Sequence, residues 1–200
     1  RVASLVWFGD GSTSEGDFHE AMNFATVFRL PTVFFCTNNQ WAISTPFSKQ
    51  SASATVVEKA SAYAMRAVQV DGFDPIACWR ATRDALERAK TGEGPTLIEA
   101  LCYRIAPHAT ADDPSKYRDE SETSKWRALE PVGRTAAYLR RMGILDDAAE
   151  QAAHDDALRL IAAAVKETEE LTEAPADILF ATTYASGLTF DGDLDTFTSR

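Results

Sequence analysis

The chain has 200 residues, of which 45% are hydrophobic, and a formal net charge of −10 at pH 7. This length can build one sizeable core or one domain with an appendage, and no apolar run reaches the length of a membrane span. Because non-specific binding of nucleic acid needs a basic surface, the acidic balance argues against it, and we expect neither a nucleic acid nor a membrane as a partner.

The beginning of the chain predicts a strand, a helix and a second strand. Residues 2–8 are apolar and rich in β-branched and aromatic side chains, which predicts a buried strand. Ser14 and Asp17 have the spacing of a capping box, and Pro31 ends the predicted helix before a second apolar run at 32–37. The apolar residues at helical spacing are Phe18, Met22, Ala25 and Phe28. Such a unit predicts two parallel strands with a right-handed crossover.

The middle of the chain predicts further strands and helices. The predicted segments are a surface loop at 42–53, a short helix at 55–65, strands at 67–70 and 96–104, and a loop at 105–118. Another helix begins at Asp74 and Pro75, since proline is favoured at the first helical position, and it ends before Gly92. Its predicted buried face consists of Ile76, Trp79, Leu86 and Ala89. Glu99, a polar residue within a strand, is expected to be a paired structural residue.

These elements predict an α/β fold with a doubly wound, mostly parallel sheet and C-terminal helices. We place the α/β domain at residues 1–124 and a C-terminal helical extension with a tail at 125–200. The cysteines are odd in number and widely spaced, at Cys36, Cys78 and Cys102. They predict buried free thiols of a reducing compartment rather than disulfides or metal ligands.

The C-terminal part predicts helices at 125–142 and 146–171. In the second helix a narrow apolar stripe of Leu158, Ile161 and Val165 predicts packing on the domain or on a partner subunit. The tail from Ala185 is rich in glycine, threonine and aspartate, and we expect it to be loosely ordered or dependent on a partner.

Polar residues follow the first two predicted strands. Asp10, between Gly9 and Gly11, follows the first strand, and Asn39 follows the second. Because parallel strands end at the same edge of a sheet, where ligands of open α/β folds bind, we expect Asp10 and Asn39 to lie close together. Their oxygens suit Mg²⁺ beside phosphates, the glycines permit close approach, and the helix N-terminus near 12–15 offers free N–H groups. The pattern predicts a magnesium diphosphate site, although a lone Gly-Asp-Gly is usually a turn and Asp10 alone would be a helix cap.

The Gly-Asp-Gly at 9–11, followed about thirty residues later by the Asn pair at 38–39, is the thiamine diphosphate motif. The segments GDGSTSEGDFHEAMNFA, VFFCTNNQWAISTPFSKQ and YRIAPHATADDPSKYR closely resemble the alpha subunit of the branched-chain 2-oxo acid dehydrogenase first component. The resemblance covers about residues 2–145 and implies the thiamine diphosphate-binding fold, with thiamine diphosphate and Mg²⁺ as cofactors. Compared with the family pattern, an N-terminal part of the alpha chain is missing, and we expect that part to be a partner.

The resemblance also implies roles for individual residues. The implied metal ligands are Asp10, Asn39 and the backbone carbonyl of Trp41. The implied cofactor contacts are Gly9, Gly11, Ser12, Thr37, Ala42, Ile43 and His108. Two alternatives stay open, because Ser12 would otherwise be a helix cap, and Ala42 and Ile43 would otherwise be core residues.

His108 is the implied catalytic residue. In the family the matching histidine lies near the cofactor and assists acyl transfer to the lipoyl group, a role that suits an imidazole because it exchanges a proton near neutral pH. The alternative is that His108 is an ordinary exposed histidine without a catalytic role. The residues that match the family's loop-ordering positions are Arg104, Asp112, Asp113, Tyr117 and Arg118, which would otherwise form ordinary surface salt bridges.

The implied activity is oxidative decarboxylation of a 2-oxo acid, with branched-chain acids favoured over pyruvate, and transfer of the acyl group to a lipoyl domain of the acyltransferase core. This chain would supply the magnesium-diphosphate half of the site and the beta subunit the other half, in a heterotetramer, so we expect the chain alone to be inactive. The expected location is the bacterial cytoplasm, or the mitochondrial matrix of a eukaryote. The alternatives are another thiamine diphosphate-dependent decarboxylase or transketolase, and a non-catalytic structural fragment.

Overall fold

The structure, a computed structural model, describes residues 2–174 and residue 178. Its strands are β1 (Ser4–Gly9), β2 (Thr32–Asn38), β3 (Trp41–Ala42), β4 (Thr45–Pro46), β5 (Arg66–Asp71) and β6 (Thr96–Leu101). Its α-helices are α1 (Gly16–Val27), α2 (Phe47–Gln50), α3 (Val57–Ala60), α4 (Pro75–Thr91), α5 (Glu120–Arg127), α6 (Pro131–Arg141) and α7 (Asp147–Glu169). Short 3-10 helices span Asp10–Ser14, Ser61–Tyr63 and Pro114–Lys116.

Four strands form one parallel sheet in the order β1-β2-β6-β5. Successive residues of the central strand β2 point to opposite faces, so that Phe34 packs with α1 and α3 while Val33 packs with α4. Helices therefore cover both faces, which confirms the predicted doubly wound α/β fold. Gly9 of β1 lies in register with Thr37 of β2, so the residues that follow both strands reach the same edge of the sheet.

The first strand is not buried, and that prediction is wrong. Among the described residues β1 pairs only with β2 and forms an edge of the sheet, and its residue Trp7 is 69% exposed. The Trp7 ring still packs against Phe35 of β2, with ring centroids 4.9 Å apart. An apolar run of strand length does not distinguish a central strand from an edge strand, because that difference depends on the order of strands in the sheet.

The predicted capping box at the start of α1 is also wrong. The Asp10–Ser14 segment forms a 3-10 helix, and the N-cap of α1 is Glu15, which makes no side-chain capping hydrogen bond. The hydroxyl of Thr13 closes this turn by donating to the backbone oxygen of Asp10 at 2.7 Å. The predicted core residues Phe18, Met22 and Ala25 are buried. Phe28, the first residue after the α-helix, is 64% exposed.

The segment 42–53 is not simply a surface loop. It contains most of the antiparallel β3–β4 hairpin and the short helix α2. Phe47 is 5% exposed and belongs to the same core cluster as α1, so its burial fixes the course of this segment. The predicted helix at 55–65 is shorter than expected, since α3 covers four residues and a 3-10 turn follows it.

Helix α4 begins and ends as predicted, but its buried face differs. The Asp74 side chain accepts hydrogen bonds from two backbone amides of the first turn, and Gly92 follows the helix with a left-handed φ of 88°. Ala89 is buried, whereas Ile76 and Trp79 are 46% and 59% exposed, so the prediction for these two is wrong. The contact with the sheet is made by small alanine side chains together with the partly buried Leu86, while Ile76 and Trp79 lie outside it.

Glu99 is confirmed as a paired structural residue. Its side chain is 0% exposed and accepts hydrogen bonds from Asn38 Nδ2 at 2.7 Å, Val57 N at 3.1 Å and Gln69 Nε2 at 3.1 Å. These bonds connect β6 to β2, to the start of α3 and to β5.

We expect Glu99→Gln to lower the free energy of unfolding by about 1–3 kcal/mol, because one acceptor oxygen becomes a donor that faces other buried donors. Chemical denaturation measures the change. The matched control is Glu87→Gln, which alters an exposed ion pair with Lys90 and should change stability by no more than about 0.5 kcal/mol. A Glu99→Gln protein as stable as the wild type would contradict this account.

All three cysteines are free, as predicted. Burial raises the pKa of the Cys102 thiol to about 12, and it raises the pKa of the Cys36 thiol as well. Both groups are therefore protonated at neutral pH and weakly reactive. Cys78 is only partly buried, which differs from the prediction.

The described residues fall into two compact units, one within 1–145 and one within 146–200, and the predicted domain boundary after residue 124 stays a prediction. In the second unit the apolar stripe of α7, formed by Leu158, Ile161 and Val165, is exposed. The predicted packing of this stripe on the domain or on a partner subunit stays a prediction, and the tail from Ala185 lies outside the described residues. None of the helices in the described part of the chain has the length and apolar character needed to cross a membrane.

Candidate functional site

Asp10, the first residue after β1, is the centre of the predicted site. Its side chain is 1% exposed. Oδ1 accepts a hydrogen bond from the backbone amide of Asn39 at 3.3 Å, and Oδ2 accepts one from Nε2 of Gln50 at 2.6 Å. The structure thus brings Asp10 and Asn39 into contact at the carboxyl edge of the sheet.

The charge of the Asp10 carboxylate is not neutralised by a direct partner among the described residues, because both hydrogen bonds come from neutral amides. Burial raises the pKa of Asp10 above its ordinary value, and the hydrogen bond from Gln50 opposes this shift. A buried carboxylate that Arg104 and Lys59 attract only at a distance is unfavourable, and a divalent cation would reduce that cost. An ionised carboxylate has about four acceptor positions, so Asp10 keeps acceptor capacity for such an ion.

Asn39 and Trp41 form a tight turn after β2. Asn39 Oδ1 accepts a hydrogen bond from Trp41 N at 3.1 Å, and the Trp41 carbonyl accepts one from Arg104 Nη1 at 3.2 Å. Each oxygen has a second lone pair, so Asp10, Asn39 and Trp41 can offer the hard oxygen donors that Mg²⁺ prefers. The described residues contain no group of three or more His, Cys, Asp or Glu side chains that could hold a metal, so a metal here would need this mixed set together with phosphate and water oxygens.

The two glycines beside Asp10 differ in their surroundings. A Cβ on Gly11 would come within 2.9 Å of Ala42 Cβ, so glycine at this position allows the β3–β4 hairpin to pack on the 3-10 helix. A Cβ on Gly9 would meet no described atom within 4 Å, which leaves open space beside the backbone. Ser12 is exposed, and its backbone oxygen accepts a hydrogen bond from Glu15 N at 3.2 Å. The cofactor contacts of these residues stay predictions.

The turn of the β3–β4 hairpin has a strained backbone. Ile43 has a φ of 54°, which is rare for a β-branched residue. Arg104 Nη2 donates to the Ile43 carbonyl at 2.6 Å and holds the turn in this conformation. The Ile43 side chain is 57% exposed, so the alternative that it packs in the core is not supported. Backbone strain of this kind persists only where surrounding contacts maintain it, and it is frequent at ligand sites.

Arg104 also connects the hairpin to the loop that carries His108. Its Nη2 donates to the Tyr117 hydroxyl at 2.9 Å, and that hydroxyl donates to Asp112 Oδ2 at 2.6 Å. The same carboxylate oxygen accepts the backbone amide of His108 at 2.8 Å. The Tyr117 ring packs against Trp41, with ring centroids 5.3 Å apart. A continuous path of hydrogen bonds therefore runs from the hairpin to the backbone of His108.

The other residues of this loop act in the same way. Arg118 donates to the backbone carbonyls of three successive residues, 104–106. Asp113 caps the following 3-10 helix. The hydrogen bonds from the tyrosine hydroxyl and from the His108 amide hold the pKa of Asp112 below its ordinary value. The set predicted to order the loop does so mainly through hydrogen bonds to backbone and hydroxyl groups, while the His108 side chain is exposed.

Thr37 is engaged by a neighbouring strand. Its hydroxyl accepts a hydrogen bond from the indole nitrogen of Trp7 at 2.6 Å. Alternation along β2 places Thr37 on the same face as Val33 and Phe35, which α4 covers. The role of Thr37 as a cofactor contact stays a prediction.

Two polar residues of this site were not predicted from the sequence. Gln50 contacts the Asp10 carboxylate from the end of α2. Lys59 Nζ donates to the backbone oxygen of Thr13 at 3.0 Å and to its hydroxyl at 2.7 Å, and burial lowers the pKa of this ammonium group. Gln50 ends the segment VFFCTNNQWAISTPFSKQ, in which the resemblance implied no role for it, and Lys59 belongs to no motif. Both are brought to the site by contacts across more than 35 residues of chain.

Comparisons with known proteins show which sequences this chain is similar to. The sequence profile of the family described as "Dehydrogenase E1 component" matches residues 1–177. The chain is similar to the 3-methyl-2-oxobutanoate dehydrogenase subunit alpha of Mycobacterium tuberculosis (strain ATCC 25618 / H37Rv), with 50% identity over 141 residues, which are 70% of this chain and 38% of that protein.

Two Bacillus subtilis (strain 168) proteins are similar over more of the chain. The 2-oxoisovalerate dehydrogenase subunit alpha is 41% identical over 184 residues, which are 92% of this chain and 56% of the relative. The pyruvate dehydrogenase E1 component subunit alpha is 43% identical over 170 residues, which are 84% of this chain and 46% of the relative. The chain thus spans about half the length of the curated relatives it matches, or somewhat less.

Proposed function

The chain belongs to the dehydrogenase E1 component family, and on that premise we propose that it supplies the magnesium-diphosphate half of a thiamine diphosphate site in a 2-oxo acid dehydrogenase. The proposed reaction is oxidative decarboxylation of a 2-oxo acid with transfer of the acyl group to a lipoyl domain. We favour branched-chain acids because the relative named for 3-methyl-2-oxobutanoate is 50% identical. Pyruvate is the alternative, since the two Bacillus relatives, 41% and 43% identical, do not separate the substrates.

The observation that carries the proposal is the buried Asp10 carboxylate, which touches Asn39 and has no direct cationic partner among the described residues. Asp10, Asn39 and the Trp41 carbonyl would hold Mg²⁺. The 3-10 turn that contains Gly11 and Ser12 would face the diphosphate. When bound, thiamine diphosphate serves as the electron sink for decarboxylation.

The residues around this turn have binding and orienting roles in the proposal. Lys59, fixed by its two hydrogen bonds to Thr13, places a positive charge beside the turn. Arg104 donates to the Ile43 carbonyl and holds the turn, in which the Ile43 side chain lies outside the core. These contacts orient groups and exclude alternative conformations, which lowers the entropic cost of binding.

His108 is the proposed proton-transfer residue of the acyl transfer. Its backbone is fixed by Asp112, and its exposed ring is accessible to a group delivered from outside the chain. The proposed partners are a beta subunit in a heterotetramer, a lipoyl domain, and the further part of the alpha chain that the longer relatives contain. The large exposed side chains of the first unit support partners in general, since exposed apolar surface marks interfaces. These side chains are Trp7, Phe24, Val27, Phe28 and Trp79. The cytoplasm stays our expected location.

Calorimetry of Mg²⁺ and thiamine diphosphate binding, with and without a co-expressed beta subunit, tests the proposal. We expect weak binding and no decarboxylation by the chain alone, because polar groups of the cofactor would lack partners, and tight binding in the assembly. Absence of binding in both preparations would refute the proposal and favour a structural role. Decarboxylation without acyl transfer to a lipoyl domain would favour another thiamine diphosphate-dependent decarboxylase.

We expect His108→Ala in the assembled enzyme to reduce acylation of a lipoyl domain by about 10²–10⁴-fold, the usual contribution of a general acid or base. Decarboxylation measured with an artificial electron acceptor should fall much less. His154→Ala is the control, because His154 is an exposed histidine of α7. Equal losses in both assays would assign His108 to cofactor binding instead.

A further inference from the structure

The Asp10 carboxylate accepts two hydrogen bonds from described residues, and the shorter one comes from Gln50. It is the last residue of α2 and donates from Nε2 to Asp10 Oδ2 at 2.6 Å. The contact of the other oxygen, with Asn39 N, is longer at 3.3 Å. The amide oxygen of Gln50 lies near the 3-10 turn, 4.0 Å from the position that a Cβ on Gly11 would occupy.

We infer that Gln50 is a positioning residue, which fixes the plane of the Asp10 carboxylate so that its remaining lone pairs are directed at a divalent cation. This inference rests on the proposed function. The side-chain torsion of an aspartate carboxylate is broad, so the carboxylate is not oriented by its own chain. One hydrogen bond on each oxygen, from Gln50 and from Asn39, defines the plane.

The chemistry of the donor favours this role over a purely structural one. An amide donates a hydrogen bond but adds no charge, so it orients Asp10 without neutralising it. A lysine or arginine at position 50 would form an ion pair and compete with a cation. Gln50 leaves the negative charge of Asp10 available, which a metal ligand requires and a structural aspartate does not.

The support of Gln50 is rigid enough for a positioning role. Helix α2 begins at Phe47, whose side chain is buried in the core. The Phe47 backbone amide donates to the Gln40 carbonyl at 2.9 Å, which ties α2 to the turn after Asn39. The donor therefore lies on an element that is anchored to the same turn as the proposed second metal ligand.

In the test, the alpha chain is assembled with its beta subunit and titrated with Mn²⁺ in the presence of thiamine diphosphate. Electron paramagnetic resonance measures free and bound Mn²⁺ during the titration. Gln50→Met removes the donor and keeps the length of the side chain. We expect the Kd for Mn²⁺ to rise 10–100-fold, the range usual for partners that orient metal ligands. Gln50→Glu places a second carboxylate beside Asp10, and we expect it to bind Mn²⁺ at least as tightly as the wild type, with a changed Mn²⁺ spectrum.

Gln69→Met is the matched control, because Gln69 also donates its amide to a buried carboxylate, that of Glu99, at 3.1 Å. It should keep the wild-type Kd for Mn²⁺ even if its melting temperature falls. An unchanged Kd in Gln50→Met, or equal losses in Gln50→Met and Gln69→Met, would overturn the role of Gln50. A wild-type assembly that binds no Mn²⁺ with thiamine diphosphate would overturn the proposed function itself.

Discussion

Asp10→Asn is expected to abolish the Mg²⁺-dependent binding of thiamine diphosphate and, in the same protein, to remove a dependence of the metal-free melting temperature on pH. The first effect follows because Asp10 is the only carboxylate among the implied ligands. Loss of a direct ligand should cost more than the 10–100-fold typical of an outer partner, so we expect affinity to fall by more than about 100-fold. Calorimetry of the assembled enzyme at limiting Mg²⁺ measures it.

The second effect follows from the raised pKa of Asp10, which burial causes. At a pH above that raised value the buried carboxylate is charged, so the metal-free wild type loses stability as the pH rises from the ordinary to the raised value, and the asparagine variant has no carboxylate at position 10 to contribute this loss. Below the ordinary aspartate pKa both the folded and the unfolded wild type bind the proton, so this contribution to the pH dependence vanishes. Each kcal/mol corresponds to a shift of about 2–4 °C for a chain of this size.

Asp17→Asn is the control, because Asp17 is an exposed residue in the first turn of α1. It should leave both the cofactor affinity and the pH dependence of the metal-free melting temperature unchanged. Unchanged affinity in Asp10→Asn would remove Asp10 from the metal site. A metal-free wild type whose melting temperature has the same pH dependence as that of Asp10→Asn would show that the Asp10 charge is compensated in solution.

Arg104→Met is expected to release the His108 loop and to reduce acyl transfer to a lipoyl domain by roughly 100-fold. The guanidinium group donates to the carbonyls of Trp41 and Ile43 and to the Tyr117 hydroxyl. Hydrogen bonds of charged groups contribute about 1.5–3 kcal/mol each, and every 1.4 kcal/mol corresponds to tenfold in rate. Arg104→Lys should rescue only partly, because one ammonium group lacks the planar fork of donors.

Two measurements separate this role from simple destabilisation. Limited proteolysis should cut the loop at 105–118 faster in Arg104→Met, and kcat/KM for acyl transfer should fall more than the affinity for thiamine diphosphate. Arg127→Met is the control, since Arg127 pairs with the exposed Glu120 at 2.8 Å and contributes little. Loop cleavage at the wild-type rate would show that Arg118 and Asp113 suffice to order the loop.

Asp112 sets the lower end of the pH range in which the His108 loop stays ordered. Because its pKa is lowered, the stability that its hydrogen bonds contribute is present above the ordinary aspartate pKa and is lost as the pH falls through the lowered value. Protection of the loop from proteolysis should therefore be constant around neutral pH and decline only in acid.

Much of the α/β organisation could be predicted from the sequence alone, because it depends on local patterns. Apolar runs of strand length alternate with segments of helical period, and such alternation favours a parallel sheet with helices on both faces. The contact between Asp10 and Asn39 was predictable for the same reason. Both residues directly follow parallel strands, and the ends of such strands meet at one edge whatever the rest of the chain does.

The tertiary structure decided which surfaces are buried and which distant side chains reach the site. Trp7 and Trp79 are exposed because β1 is at the edge of the described sheet and α4 contacts that sheet through Ala85, Leu86 and Ala89. Gln50 reaches Asp10 across 40 residues, and Arg104 reaches Trp41 across 63. Periodicity reports the neighbours of a residue along one helix or strand. It carries no information on strand order or on the course of a connecting segment, and those two features select the partners of Asp10 and of the His108 loop.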